Sequence, residues 1–175
     1  MPVMWWFSLG EMVFQLYRET LGITGEYGVE LHFLTSAVEL GIEVIELESL
    51  QLQMEIFFDI PTEVLIYEIK QLVLILEGYA ESDSTGFLHL YDAWKNGDEQ
   101  RIELLLFENI PETYRDEYIY LMLTHRDIAM AERLRHLMSE EKKVFVAVGT
   151  GHLIGEGSFI HLLRQAGYDV VRIYR

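Results

Sequence analysis

Val144-Phe145-Val146-Ala147-Val148-Gly149-Thr150-Gly151-His152-Leu153 is the stretch whose reading decides the fold. Five apolar residues run into a tight, glycine-bounded turn, and a histidine follows at once. The run is too short for a helix and rich in valine, so it predicts a buried strand. Beyond it, Phe159, Leu162, Leu163 and Ala166 recur at helical spacing, Gly167 stops that helix, and Val170, Val171 and Ile173 form a second apolar run. Strand, turn, helix and strand in this order describe a βαβ unit, whose two strands are parallel. In open sheets ligands bind beyond the carboxyl ends of the strands, which makes His152 the first residue to consider.

Working outward, Ile42 to Leu47 reads as a third short strand, followed by Glu48. The fold class expected is therefore α/β: a short, largely parallel sheet of strands near 43–47, 144–149 and 169–174, with a large helical insert and the C-terminal βαβ unit. Residues 4–20 form a first helix with Trp5, Leu9, Met12, Leu16 and Thr20 on one face. Val29, Leu31, Leu34, Val38 and Leu40 mark a second helix that ends at Gly41. The insert opens with Leu50 to Ile60 and continues with a strongly apolar helix from Thr62 to Tyr79, with Pro61 in its first turn. A polar loop over 81–86 follows, then Phe87 to Lys95, the Asn96-Gly97-Asp98 turn and a helix from Glu99 to Phe107. After Pro111 one long helix is expected from Arg115 to Glu141. No repeat or linker divides the 175 residues, so they form one domain.

Asp and Glu outnumber Lys and Arg by 29 to 13, for a net charge of −16. Such a surface repels phosphate backbones, so nucleic acid and anionic membranes are poor partners. The apolar N-terminus, Met1 to Leu9, lacks a basic flank and is too short to span a bilayer, which argues against membrane insertion. The compartment stays open: an extracytoplasmic location would require a signal encoded upstream of Met1. There are no cysteines, which excludes disulfides, thiolate zinc sites and cysteine nucleophiles. Any metal would be held by His, Asp and Glu.

Three residues carry the candidate chemistry. Arg126 falls in an apolar stripe with Ile119, Met122, Leu123, Met130 and Leu137, where a cation needs an anionic partner or must snorkel to water. Glu48 and His152 each follow an apolar run. If those runs are neighbouring parallel strands, the three side chains converge on one sheet edge. There a carboxylate and an imidazole hold a divalent metal or activate water, and the guanidinium holds a substrate carboxylate or an oxyanion. A dinucleotide fingerprint fails, because its third glycine would fall on Ile154. His32 and His161 read as packing or surface residues, His125 as an exposed one, and neither Ser49 nor Ser158 has a histidine placed in sequence to suggest a nucleophile.

Phe145 to Gly155, with its Gly149-Thr150-Gly151-His152 core, resembles the C-terminal G-x-x-H signature of the TraB/GumN/PrgY family, which includes the Tiki proteases, and Leu162 to Val170 continues the match. Glu46-Leu47-Glu48-Ser49 with Gln53 resembles the family's Leu-Glu-Thr/Ser and Gln block, His125-Arg126-Asp127 its Asn-Arg-Asn block, and Tyr27-Gly28-Val29-Glu30 a Gly-Ile/Val-Asp segment. Two departures stand out. The strand and G-x-x-H with which the family normally begins do not precede Trp5, and both asparagines around Arg126 are replaced. The resemblance implies a single TraB/GumN-like domain that is N-terminally incomplete or diverged, with a metal-dependent, protease-like hydrolase fold acting on peptides or proteins. Carried over residue by residue, it implies Glu48, Arg126 and His152 as catalytic residues, Glu48 and His152 as ligands of Mn, Co or Zn, and Glu30 as a distant fourth candidate. The alternative is a non-catalytic, peptide-sequestering protein; haem binding through His152 follows only from more distant relatives. Truncation would leave a sheet edge exposed, so self-association into a homo-oligomer is expected.

Overall fold

The computed structural model describes residues 3–78, 84–108, 110–140 and 143–173. Among these residues the chain is helical, and no strand is present. The helices are α1 (Val3–Thr20), α2 (Val29–Leu40), α3 (Leu50–Asp59), α4 (Thr62–Leu76), α5 (Ser84–Asn96), α6 (Glu99–Phe107), α7 (Glu112–Ile119), α8 (His125–Ser139) and α9 (Phe159–Gln165). A 3₁₀ turn spans Gly25–Tyr27 and another spans Thr150–Leu153.

This corrects the α/β expectation. The runs at 43–47, 144–149 and 169–173 lie without strand pairing, and residue 174 falls outside the described residues. The two-residue period survives in the burial of the second run: Val146 and Val148 are half-buried while Phe145 and Ala147 are exposed. Side-chain alternation can dictate which face of a segment packs, but a strand is also a hydrogen-bonding relation to a neighbour, and that relation is not written in one run of residues. Leu47, Val146, Val148 and Val170 instead pack separately against a helical core. No βαβ unit forms, and α9 is not a crossover between strands.

That core is built from Met130, Ala131 and Leu134 of α8 with Phe159 and Leu163 of α9. A second cluster joins Ile60, Val64, Leu65 and Ile110, with Tyr114 and Tyr118 against it. A third brings Ala93, Ile102 and Ile154 together. The Tyr118 hydroxyl donates to Glu68 Oε1 at 3.2 Å and ties α7 to α4. Burial raises the pKa of both groups, and the Glu68 carboxylate beside Tyr118 raises the phenol further.

Several element boundaries follow from local chemistry. Gly41 ends α2 in the left-handed region, φ 66°, with its amide bonded to the carbonyls of Ala37 and Val38. Ser49 caps α3 by accepting from the Leu52 amide, and Asp98 caps α6 by accepting from the Arg101 amide. Pro61 and Pro111 stand immediately before α4 and α7, where a missing N–H costs nothing. The expected loop at 81–86 ends earlier than read, because α5 already begins at Ser84; residues 81–83 lie outside the described residues.

Two further expectations change. The long helix is broken by a π-helical turn, Tyr120–Thr124, between α7 and α8. And α1 does not turn the expected stripe inward: Leu9, Met12 and Leu16 are exposed, while Val13 and Tyr17 are buried. The side chains of Trp5 and Thr20 fall outside the described ones. Both stripes of α1 are apolar, so hydrophobicity alone could not choose between them. Gly10 lies on the observed face, where a Cβ would make ordinary contact with Ile69 of α4 at 3.5 Å.

Candidate functional site

The π-helical turn feeds directly into Arg126 and Asp127, and such turns are frequent at functional sites. Successive residues of a helix project about 100° apart. Arg126 thereby reaches the segment before α3, and Asp127 reaches the 3₁₀ turn before α9.

Arg126 Nε donates to Glu48 Oε1 at 2.6 Å, and its Nη2 donates to Oε2 at 2.7 Å. This is a bidentate fork, the strongest geometry for such a pair. Nη1 donates to the Met122 carbonyl at 3.0 Å, a group in the π-helical turn. Gln53 Nε2 donates to Glu48 Oε2 at 2.8 Å. The side chains of Arg126 and Glu48 are only 17% and 7% exposed, so the head group is paired and not snorkelling. Burial pushes the Glu48 carboxyl up, but the hydrogen bonds from Arg126 and Gln53 and the charges of Arg126 and His152 outweigh it, and the net shift is downward.

His152 Nδ1 lies 2.9 Å from Asp127 Oδ1. Asp127 is 1% exposed and His152 8%. With Asp127 ionised, the contact is an Nδ1–H donating to the carboxylate, which leaves Nε2 as the open nitrogen of the ring. Burial raises the Asp127 pKa; the bond to His152, the charges of His152 and Arg126, and the Phe159 backbone pull against that rise. Ser158 contributes by capping α9, accepting from the His161 amide at 3.3 Å.

Two pairs therefore share adjacent residues of α8. Glu48 and His152 make no direct hydrogen bond; they are joined through Arg126 and Asp127. Glu30 sits exposed in the first turn of α2 and makes none of these contacts. His125 is half-buried beside Tyr120, ring centroids 5.9 Å apart, where the sequence suggested exposure. Asp127 was missed as a site residue. Its signal was present, since an acid replaces an asparagine of the resembled block, but it registered only as a departure from pattern.

The donor set bears on a divalent metal. An imidazole backed by a carboxylate is the form in which histidine usually ligates metals, so His152 suits the task. Glu48 does not in this arrangement, because both of its oxygens are engaged by Arg126 and Gln53. Among the described residues no three metal-ligating side chains cluster, whereas a catalytic zinc usually takes three protein ligands. These residues as arranged do not assemble a metal site. No helix among the described residues is long and apolar enough to cross a membrane.

Comparison with known proteins gives the arrangement a lineage. The chain is 26% identical over 148 residues to the uncharacterized protein YbaP of Escherichia coli K12, and equally to that of Shigella flexneri, covering 83% of this chain and 51% of each relative. It thus spans about half the length of these curated relatives. A shorter match, 34% identical over 71 residues, covers 39% of this chain and 13% of the metalloprotease TIKI1 of Xenopus tropicalis. No solved structure matches. The model of the TraB/PrgY/gumN family matches residues 2–172, nearly the full length, and the chain belongs to that family.

Proposed function

We propose that the chain acts in peptide hydrolysis, with His152 as the general base. The observation that carries this reading is the buried Asp127–His152 hydrogen bond of 2.9 Å beside the Arg126–Glu48 fork. Asp127 holds one tautomer of the ring and favours the imidazolium that forms when Nε2 takes a proton from water. Water so activated attacks the peptide carbonyl, and the imidazolium then gives its Nε2 proton to the amine nitrogen as the C–N bond breaks. Arg126 spends three of its N–H groups on Glu48 and Met122; an arginine carries five, and those left over can meet the oxygen on which negative charge develops. Glu48 and Gln53 hold the guanidinium in place. The partial match to a metalloprotease supports the reaction class.

The test is incubation with a mixed peptide library and mass-spectrometric detection of fragments. Cleavage by the wild type is expected, with a loss of about 10²–10⁴-fold on His152→Ala, the usual contribution of a positioned base. Asp127→Asn should also lose activity while still melting cooperatively. Cleavage abolished by chelator and restored by Mn, Co or Zn would overturn the metal-free role given to His152 and restore the metal-dependent one.

A second reading is a protein that binds peptides without cutting them. The lack of a three-ligand metal cluster among the described residues favours it. Peptide binding with no fragments from any sequence would select it.

A further inference from the structure

An apolar cleft of about 300 Å³ opens beside the turn that carries His152. Tyr91 and Trp94 of α5, Ile102 and Leu106 of α6, and Thr150 and Gly151 line it. We propose that this cleft is a subsite for one bulky apolar side chain, aromatic or large aliphatic, of a bound peptide. The proposal rests on the peptide-directed reading above and adds its side-chain preference.

Three observations carry it. The first is position. Thr150 and Gly151 form a wall of the cleft and immediately precede His152, so a side chain seated there brings its own backbone to the turn that carries the imidazole. Gly151 packs its bare backbone against that wall: a Cβ there would lie 3.3 Å from Leu123 and 3.5 Å from Leu106. The second is size. Pockets for whole drug-sized ligands span roughly 300–1,000 Å³; a volume at the bottom of that range suits a single large side chain. The third is chemistry. The lining named above carries no charged group, and the Tyr91 and Trp94 rings, centroids 5.9 Å apart, stay about half exposed at 47% and 46%. Aromatic rings held open in this way offer dispersion and stacking to another ring. A lysine or arginine guest would gain from the ring faces but would leave its charge without a partner in the lining.

The probes are N-acetyl amides of single amino acids, with binding followed by NMR titration on the full chain. They report the cleft without any need for cleavage. The phenylalanine, tryptophan and leucine amides should bind at least tenfold more tightly than the alanine, glutamate and lysine amides. Leu106→Trp, which fills the cleft from its own wall, should abolish that preference while the melt stays cooperative. Trp94→Ala serves as a second variant and should weaken the aromatic amides most. The proposal falls if the alanine or lysine amide binds as well as the phenylalanine amide, or if folded Leu106→Trp binds it undiminished. Aromatic binding without peptide cleavage would leave the subsite standing and remove the hydrolase reading. Cleavage with no preference for a bulky apolar residue beside the cut bond would do the reverse.

Discussion

The junction of α8 with the segments before α3 and α9 and the surface formed by α2 with Phe145 obey opposite rules. At the junction charged and polar groups are withdrawn from water and held by specific partners: Glu48 by Arg126 and Gln53, His152 by Asp127. On α2 no residue is buried, and Leu31, Leu34, Val38 and Leu40 are 48–73% exposed. Phe145, which meets Phe33 at a ring separation of 4.8 Å, is still 71% exposed. Directional bonds assemble a site from single residues far apart in sequence. Apolar burial has no direction and needs a covering body, so an apolar helix can form on local signals alone and remain uncovered. Gly41 provides such a signal by ending α2 without any tertiary contact.

The sharpest way to break this contrast is to remove one partner at the junction. Arg126→Ala leaves Glu48 buried and uncompensated and should cost about 3–5 kcal/mol, read by urea unfolding. The double variant Glu48→Met with Arg126→Met should recover most of that loss, since replacing both partners avoids the orphaned charge. A double variant as unstable as the single one would mean that the fork, not the orphaned charge, holds the junction.

The two carboxylates at the junction should respond to pH in opposite senses. Glu48 titrates below its usual 4.5 in the folded chain, so its contribution to stability is present above that value and lost as pH falls through the depressed pKa. Asp127 titrates above its usual 3.8, so the fold favours its protonated form, and that contribution is lost as pH rises through the raised pKa. Unfolding curves from pH 3 to 7 should therefore show the destabilisation by Glu48→Gln growing with pH. Asp127→Asn should gain relative to wild type over the same range. Parallel curves for both variants would remove this assignment.

Smaller effects belong to α2. Gly41→Ala forces a side chain into the left-handed region and should cost on the order of 1 kcal/mol by thermal melt. The sheet edge from which the sequence predicts self-association does not form; an association of two copies would have to use this exposed apolar face instead. Val38→Glu should lower the sedimentation mass at high concentration while changing monomer stability by no more than about 0.5 kcal/mol. A wild-type mass equal to the monomer at every concentration would show that the face stays bare.

Punctuation was the most legible part of the sequence. Gly41, Pro61, Asn96-Gly97-Asp98, Pro111 and Gly167 mark boundaries by chemistry local to a few residues, and helices begin or end at each. Arg126 was legible in part: a cation within an apolar stripe needs an anionic partner or must snorkel, and the structure selects pairing with Glu48. Pairing was not legible. Nothing in Val144 to Val148 specifies which backbone would accept its hydrogen bonds, and in the fold none among the described residues does so as a strand. The Asp127–His152 contact joins residues 25 apart, and no local rule announces it. The inward face of α1 went unread for a third reason, since two apolar stripes competed and hydrophobicity alone could not choose between them.

The π-helical turn at Tyr120–Thr124 has a consequence for chain length. It holds about one residue more than the α-helical geometry it interrupts, and each residue of an α-helix advances the helix by about 100°. Deleting one residue there would close the wide turn into an ordinary α-helical one, so α7 and α8 would fuse into a single regular helix with little rotation of one half against the other. Tyr114 and Tyr118, seated against Val64 and its neighbours, and Arg126 and Asp127, seated by Glu48 and His152, would keep their partners. Regularising the turn with all its residues in place would instead rotate α8 by about 100° and take Arg126 and Asp127 away from theirs. The surplus residue is absorbed within one turn, which makes this the point on the path best able to lose a residue.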